Sequence, residues 1–171
     1  MTNSISWIDN NWGSIHELKL PIADRGLNYA DGIFETILIW QGKPKLLKEH
    51  LIRWKISASK LEMASPPKES WLIPLIEEAI DRASLNEGNG ALRLNWSRGN
   101  KIERNINISK NNKHRFWMEL NPSEPSFSSI STIISSYEKR NANSKLSQCK
   151  TFSYGQAISA RREAQAAGYD D

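Results

Sequence analysis

Between Gly32 and Leu61 the hydrophobic period of the chain switches, and this switch constrains the fold more than any other feature of the sequence. Gly32–Trp40 (GIFETILIW) is rich in β-branched and aromatic residues, which suit a pleated strand. Gln41-Gly42-Lys43-Pro44 supplies the residues of a hairpin turn. From there Leu47, Leu51, Trp54, Ala58 and Leu61 recur at i, i+4, i+7, i+11 and i+14, one face of an amphipathic helix. A strand that turns directly into a helix with an apolar stripe calls for a sheet with helices packed on it.

The remaining segments extend this pattern. Ile5 and Trp7, then Ile15, Leu18 and Leu20, read as two opening strands around a turn at Asn10–Gly13. Pro21–Gly26 reads as a loop. After Ser65-Pro66-Pro67, a second helix buries Trp71, Leu72, Leu75, Ile76, Ala79, Ile80 and Ala83, and Glu87–Gly90 ends it. Pro74 is expected in the first turn of that helix, where its missing N–H costs nothing. Ala91–Ser97 and His114–Leu120 alternate like strands. Asn121–Ser126 carries two prolines and reads as a linker, followed by a strand at Ile130–Ser135 and a helix over Tyr154–Ala167 that stops at Gly168. The order is β-β-β-α-α-β-β, a linker, then β-α. This predicts an α+β domain over residues 1–121, an interdomain linker at 122–128, and the beginning of a second, incomplete domain at 129–171.

Composition narrows the function classes. The chain has 171 residues, seven Trp and a formal charge of +4. Its lone Cys149 excludes a disulfide framework and a cysteine-rich zinc site. No apolar run approaches the roughly 18 residues of a membrane span, so a soluble cytoplasmic protein is expected. The basic residues are interspersed with acidic ones, as in Lys43–Arg53 and Glu77–Arg82, which reads as solvated helix face rather than a nucleic-acid footprint.

Three segments carry residues suited to chemistry. Asp24–Thr36 is a polar, glycine-containing loop feeding a strand; on its own it is a hairpin entry with an Asp24–Arg25 surface pair. His50 and Arg53, three apart on a helix, are neighbours on one face, and a guanidinium makes the paired hydrogen bonds that hold a phosphate. Lys150, among Cys149, Thr151 and Phe152 just before a helix, sits where desolvation would favour the neutral amine needed for a Schiff base, with Tyr154 four residues on. Each segment alone also suits an ordinary surface.

In order and wording, these segments together resemble the class IV aminotransferases, the fold type IV pyridoxal phosphate enzymes. The resemblance is carried by Asp24-Arg25-Gly26 through Phe34-Glu35, His50-x-x-Arg53, Arg93-Leu94 through Arg98-Gly99, Lys150-Thr151-Phe152-Ser153-Tyr154, and Ala160-Arg161-Arg162-Glu163-Ala164. Ser153 stands where the family usually has Asn. The resemblance implies the two-domain fold of D-amino-acid aminotransferases, with the second domain truncated in this chain. It implies that Lys150 bonds pyridoxal 5'-phosphate and moves protons, that Arg53 holds the cofactor phosphate, and that Tyr154 lies near the ring oxygen. Tyr29 and Phe34 would line the substrate side, and Arg93 and Arg98 would contact substrate carboxylates, with a structural strand-end role left open for Arg98. No metal is implied.

Within the family, Asp31-Gly32 and Phe34-Glu35-Thr36 are most similar to 4-amino-4-deoxychorismate lyases and D-amino-acid aminotransferases. The resemblance implies conversion of 4-amino-4-deoxychorismate to 4-aminobenzoate and pyruvate, a step toward folate. The alternatives are amino-group transfer on D- or branched-chain amino acids, and an inactive fragment whose first domain folds and self-associates. A homodimer is implied. Family members continue past the point matching Asp171 and there supply the carboxylate that faces the pyridine nitrogen. The chain is therefore expected to stop inside its second domain and to bind cofactor poorly as it stands.

Overall fold

The computed structural model describes residues 3–101, 105–109 and 112–171. Its elements are β1 (Ile5–Ile8), β2 (Asn11–Gly13), α1 (Arg25–Tyr29), β3 (Gly32–Trp40), β4 (Lys43–Pro44), α2 (Leu47–Lys60), α3 (Glu69–Arg82), β5 (Gly90–Ser97), β6 (Arg115–Pro122) and α4 (Gly155–Ala166). The six strands form one antiparallel sheet in the order β2-β1-β6-β5-β3-β4. The α+β class follows from this sheet and the helices laid against it.

Side chains alternate across a strand, so each strand divides its residues between two faces. Ile33, Ile37 and Ile39 of β3, Leu92 and Leu94 of β5, and Phe116, Met118 and Leu120 of β6 make one apolar face. Leu51, Trp54 and Ala58 of α2 and Leu72, Ile76, Ala79 and Ile80 of α3 close over it. Trp54 is 1 % exposed, and burying such side chains supplies roughly 1.5–3 kcal/mol each. The opposite face carries Phe34, Arg93, Asn95, Trp117 and Glu119. That face holds the candidate site.

Several expectations change. The second opening strand is Asn11–Gly13, because the reversal falls at Asp9-Asn10, both with positive φ, and Ile15–Leu20 forms no strand. Part of the expected loop at Pro21–Gly26 instead starts α1, capped by the Asp24 side chain accepting from the Gly26 amide at 2.8 Å. Pro74 lies in the second turn of α3, where it withholds the hydrogen bond that the Ser70 carbonyl would accept; both residues are exposed, so water meets that carbonyl. Trp71 is 45 % exposed rather than buried, although its ring packs edge-on against Trp7 and Phe116.

The sheet also takes in the first residue of the expected linker. β6 runs through Asn121 and Pro122, and the Ser123 amide donates to Asn89, so the sheet extends past the expected end of the first domain. Ile130–Ser135 forms no strand. A strand needs a hydrogen-bonding neighbour, and among the described residues the backbone here bonds to Asp170 and Asp171: Ile133 donates to the Asp171 carbonyl at 3.0 Å, and Asp171 donates to the Ser131 carbonyl at 3.2 Å. That pair has the pattern of a single parallel rung around Thr132. Glu163 of α4 ties to the same segment through Ser135 and Ser136.

Candidate active site

The site is built where residues 150–152 cover the free edge of β3. That strand pairs with β5 along its length but with β4 only at its far end, which leaves the Gly32–Phe34 edge open. Thr151 bridges Ile33 in antiparallel fashion, with Phe34 donating to the Lys150 carbonyl at 2.9 Å and Phe152 donating to Gly32 at 3.0 Å. Nearby, Lys60 Nζ of α2 donates to Gln148 Oε1 at 2.9 Å, and the Cys149 thiol lies 3.9 Å from the Ser57 carbonyl. The two strand bonds hold the backbone at Lys150 and Phe152, and side-chain contacts tie Gln148 and Cys149 to α2.

Lys150, Tyr154, Phe34 and Arg93 come together on the outer face of the sheet. Lys150 Nζ donates to Tyr154 Oη at 2.9 Å, across the short segment that leads to Tyr154 at the start of α4. The same ammonium lies 4.3 Å from the centre of the Phe34 ring, and the Arg93 guanidinium lies 3.6 Å from it. Phe34 is therefore a buried apolar platform between two cationic side chains. Burial holds the Arg93 guanidinium below its ordinary value, against the opposing pull of Glu119 at 3.8 Å.

Arg53 is fixed from the helical side. Glu35 shares the core face of β3 with Ile33 and Ile37 and is fully buried, so its carboxylate needs partners. Arg53 Nε donates to Glu35 Oε1 at 2.8 Å, a second Arg53 nitrogen meets Oε2, and His50 Nδ1 lies 2.8 Å from Oε2. The bond to Glu35 raises the Arg53 pKa above its ordinary value. Sequence reasoning paired His50 with Arg53 but missed Glu35 as their anchor. An acidic residue in phase with Ile33, Ile37 and Ile39 was the available signal.

Arg53 and Lys150 line a cleft of about 520 Å³, together with Tyr154, Lys139, Arg140 and neighbouring polar residues. No carboxylate lines it among the described residues. A phosphate-bearing aldehyde fits this donor set: a primary amine for the aldehyde, a guanidinium for the phosphate, and further cations against its charge. Lys139 and Arg140 gave no signal in the sequence.

Arg98 and Tyr29 do not join this group. Arg98 is 4 % exposed and directs its donors to Asp31, Leu61 and Glu62, so the strand-end structural role applies rather than a free carboxylate contact. Tyr29 lies under Arg25 and Lys101, with ring-centre distances of 5.1 and 5.7 Å. Asp24 and Arg25 are buried and not paired with each other. Asp24 accepts from Ser97 and Arg115, while Arg25 binds Asp31 and the carbonyls of Ile106 and Asn107.

Residues 32–171 match the family model described as amino-transferase class IV. A D-alanine aminotransferase of Listeria monocytogenes is 29% identical over 98 residues, which cover 57% of this chain and 33% of that protein. A bifunctional aminodeoxychorismate lyase / D-amino acid transaminase of Mycobacterium tuberculosis is 37% identical over 71 residues, covering 41% of this chain and 24% of that protein. Among solved structures, a hypothetical aminotransferase from Mycobacterium tuberculosis in its PLP-bound form superposes with a TM-score of 0.80 at 25% identity, covering 99% of this chain and 61% of that one. The chain thus spans about a third or less of the curated relatives and about three fifths of the solved neighbour.

Proposed function

We propose, from the premise that this chain belongs to the class IV aminotransferases, that Lys150 serves pyridoxal phosphate chemistry on an anionic amino substrate, and that the reaction is loss of pyruvate from 4-amino-4-deoxychorismate to leave 4-aminobenzoate. One observation carries the reading: Lys150 Nζ, bonded to Tyr154 Oη at 2.9 Å, lines an acid-free cationic cleft together with Arg53. When bound, the cofactor supplies a conjugated ring that takes up the electron pair left at a deprotonated carbon.

The residues divide the remaining work. Arg53, held by Glu35, presents the guanidinium that receives the phosphate. Tyr154 orients the Lys150 amine and offers a hydroxyl to the ring oxygen. Lys150 Nζ takes the proton from the substrate ring and returns one to the departing enolpyruvyl group; no His or carboxylate among the cleft-lining residues competes for that role. Phe34 walls the substrate side, and Arg93, stacked on it, meets a carboxylate. Lys139 and Arg140 suit a substrate with more than one negative charge.

The lyase activity named for the Mycobacterium tuberculosis relative supports this reaction, while the D-alanine aminotransferase match supports amino-group transfer as the second reading. We expect pyruvate release from 4-amino-4-deoxychorismate to exceed transfer from D-alanine or leucine. The assay follows 4-aminobenzoate and pyruvate from 4-amino-4-deoxychorismate beside the keto products of D-alanine and leucine. Amino-group transfer from D-alanine to a 2-oxo acid, with no 4-aminobenzoate formed from 4-amino-4-deoxychorismate, would replace the first reading by the second. A homodimer is part of the proposal, and sedimentation checks it.

A further inference from the structure

Gly26 and Gly32 face the ring of Phe152, and their backbone conformations do not explain why they are glycines. Neither has the positive φ seen at Gly42, Gly99 and Gly168. A Cβ on Gly32 would lie 2.5 Å from Phe152 Cδ2 and 2.8 Å from Cζ, and one on Gly26 would lie 2.8 Å from Cε2 and 2.9 Å from the Asp24 cap oxygen. These separations are well inside van der Waals contact. Phe34 and Trp117 flank the ring with ring centres 6.2 and 5.5 Å away, so a displaced ring would turn toward the cavity that it lines with Leu27 and Arg93.

The backbone of Phe152 is held just as closely. Its amide bonds to the carbonyl of Gly32, and two residues earlier the Lys150 carbonyl receives the Phe34 amide. The ring and backbone of Phe152 therefore both bear on Gly32, at the start of the Gly32–Phe34 stretch of β3 to which Lys150 is bonded. Phe34, the platform under the Lys150 ammonium, lies next to that ring as well.

We propose that Phe152 is the positioning residue for Lys150, and that Gly26 and Gly32 are glycines in order to form its socket. The inference rests on the reading of Lys150 as the cofactor lysine. It links two motifs that lie far apart in the chain: a methyl group added to the first displaces the amine supplied by the second.

The test uses Gly32→Ala, Phe152→Leu, Phe152→Ala and the double variant Gly32→Ala/Phe152→Ala, each with its thermal midpoint. The first readout is the rate at which borohydride fixes pyridoxal phosphate on Lys150, followed by peptide mass. Gly32→Ala should slow fixation at least tenfold, Phe152→Leu should stay within about threefold of wild type by refilling the socket, and the double variant should recover most of the Gly32→Ala loss. The second readout needs no cofactor: hydrogen exchange at the Phe34 and Phe152 amides should accelerate at least tenfold in Gly32→Ala and slow again in the double variant, while β5 and β6 amides stay protected. Additive effects of the two substitutions in both readouts, or normal fixation and exchange in Gly32→Ala, would overturn the socket. A wild-type chain that takes no label while the exchange pattern holds would count against the cofactor reading and leave the socket standing.

Discussion

Glu35 anchors Arg53 from inside the protein: its buried carboxylate, on the core face of β3, accepts from an arginine whose side chain is 56% exposed. The pair therefore spans the boundary between core and cleft. The carboxylate is desolvated and must be compensated, while the guanidinium keeps an outer edge available for an anion.

Replacing Arg53 with Ala should leave Glu35 with His50 as its remaining partner. A fully buried pair broken in this way costs about 3–5 kcal/mol, and water reaching the Arg53 side lowers the expected loss to about 2 kcal/mol. Denaturant unfolding reads that number. Glu35→Gln should cost less stability, yet weaken pyridoxal phosphate binding through a loosened Arg53. Unchanged affinity in Glu35→Gln would show that Arg53 needs no anchor.

The bond between Lys150 and Tyr154 makes a separate prediction. Tyr154→Phe keeps the ring packed beside Phe34 at 5.3 Å and removes the hydroxyl alone. A hydrogen bond to a charged group contributes about 1.5–3 kcal/mol, which corresponds to roughly a 10- to 160-fold loss of turnover if it acts in the transition state. Lys150→Ala should abolish borohydride fixation, whereas Tyr154→Phe should still be labelled. Equal labelling of wild type and Lys150→Ala would remove Lys150 from the reaction.

How far the sequence reached depended on the range of each interaction. The stripe of Leu51, Trp54 and Ala58 was legible because helical period is local, and all three pack against the sheet. The edge pairing of Thr151 with Ile33 was not legible, since nothing near either residue encodes the other. Ile130–Ser135 shows the converse: local β propensity was present, but the segment forms no strand. In the Asp24–Asp31 segment the residues were noticed and their partners were not. A surface ion pair and a buried network including Arg98 and Arg115 look alike in one dimension.

Pro74 predicts a gain. In α3 it denies the Ser70 carbonyl its helical donor, on a face where both residues are exposed. Proline in a helix interior costs about 3 kcal/mol relative to alanine, part of which hydration and the stiffer unfolded chain return. Pro74→Ala should therefore stabilise the protein by about 1–2 kcal/mol in urea unfolding, without altering the site. A loss of stability would mean that the proline's fixed φ outweighs the hydrogen bond that it removes.

His114 sets the pH dependence. Its ring stacks on Trp96 at 5.2 Å, and Nε2 accepts from the Ala64 amide at 3.2 Å, a bond that requires the unprotonated nitrogen. Burial, followed by the nearby Arg98 cation, lowers its pKa below the ordinary 6.5. The unfolded chain thus binds this proton at a higher pH than the folded one. The contribution to stability is fully present above the unfolded value and is lost as pH falls toward the folded value. Glu17, Glu163 and Asp170 are also lowered, but from carboxylate values, so they titrate at more acidic pH. Between about pH 7.5 and 5.5 the melting temperature of the wild type should therefore fall more steeply than that of His114→Gln, which keeps an acceptor for Ala64 and cannot be protonated in this range. Parallel slopes for the two proteins would show that His114 carries no share of the pH dependence.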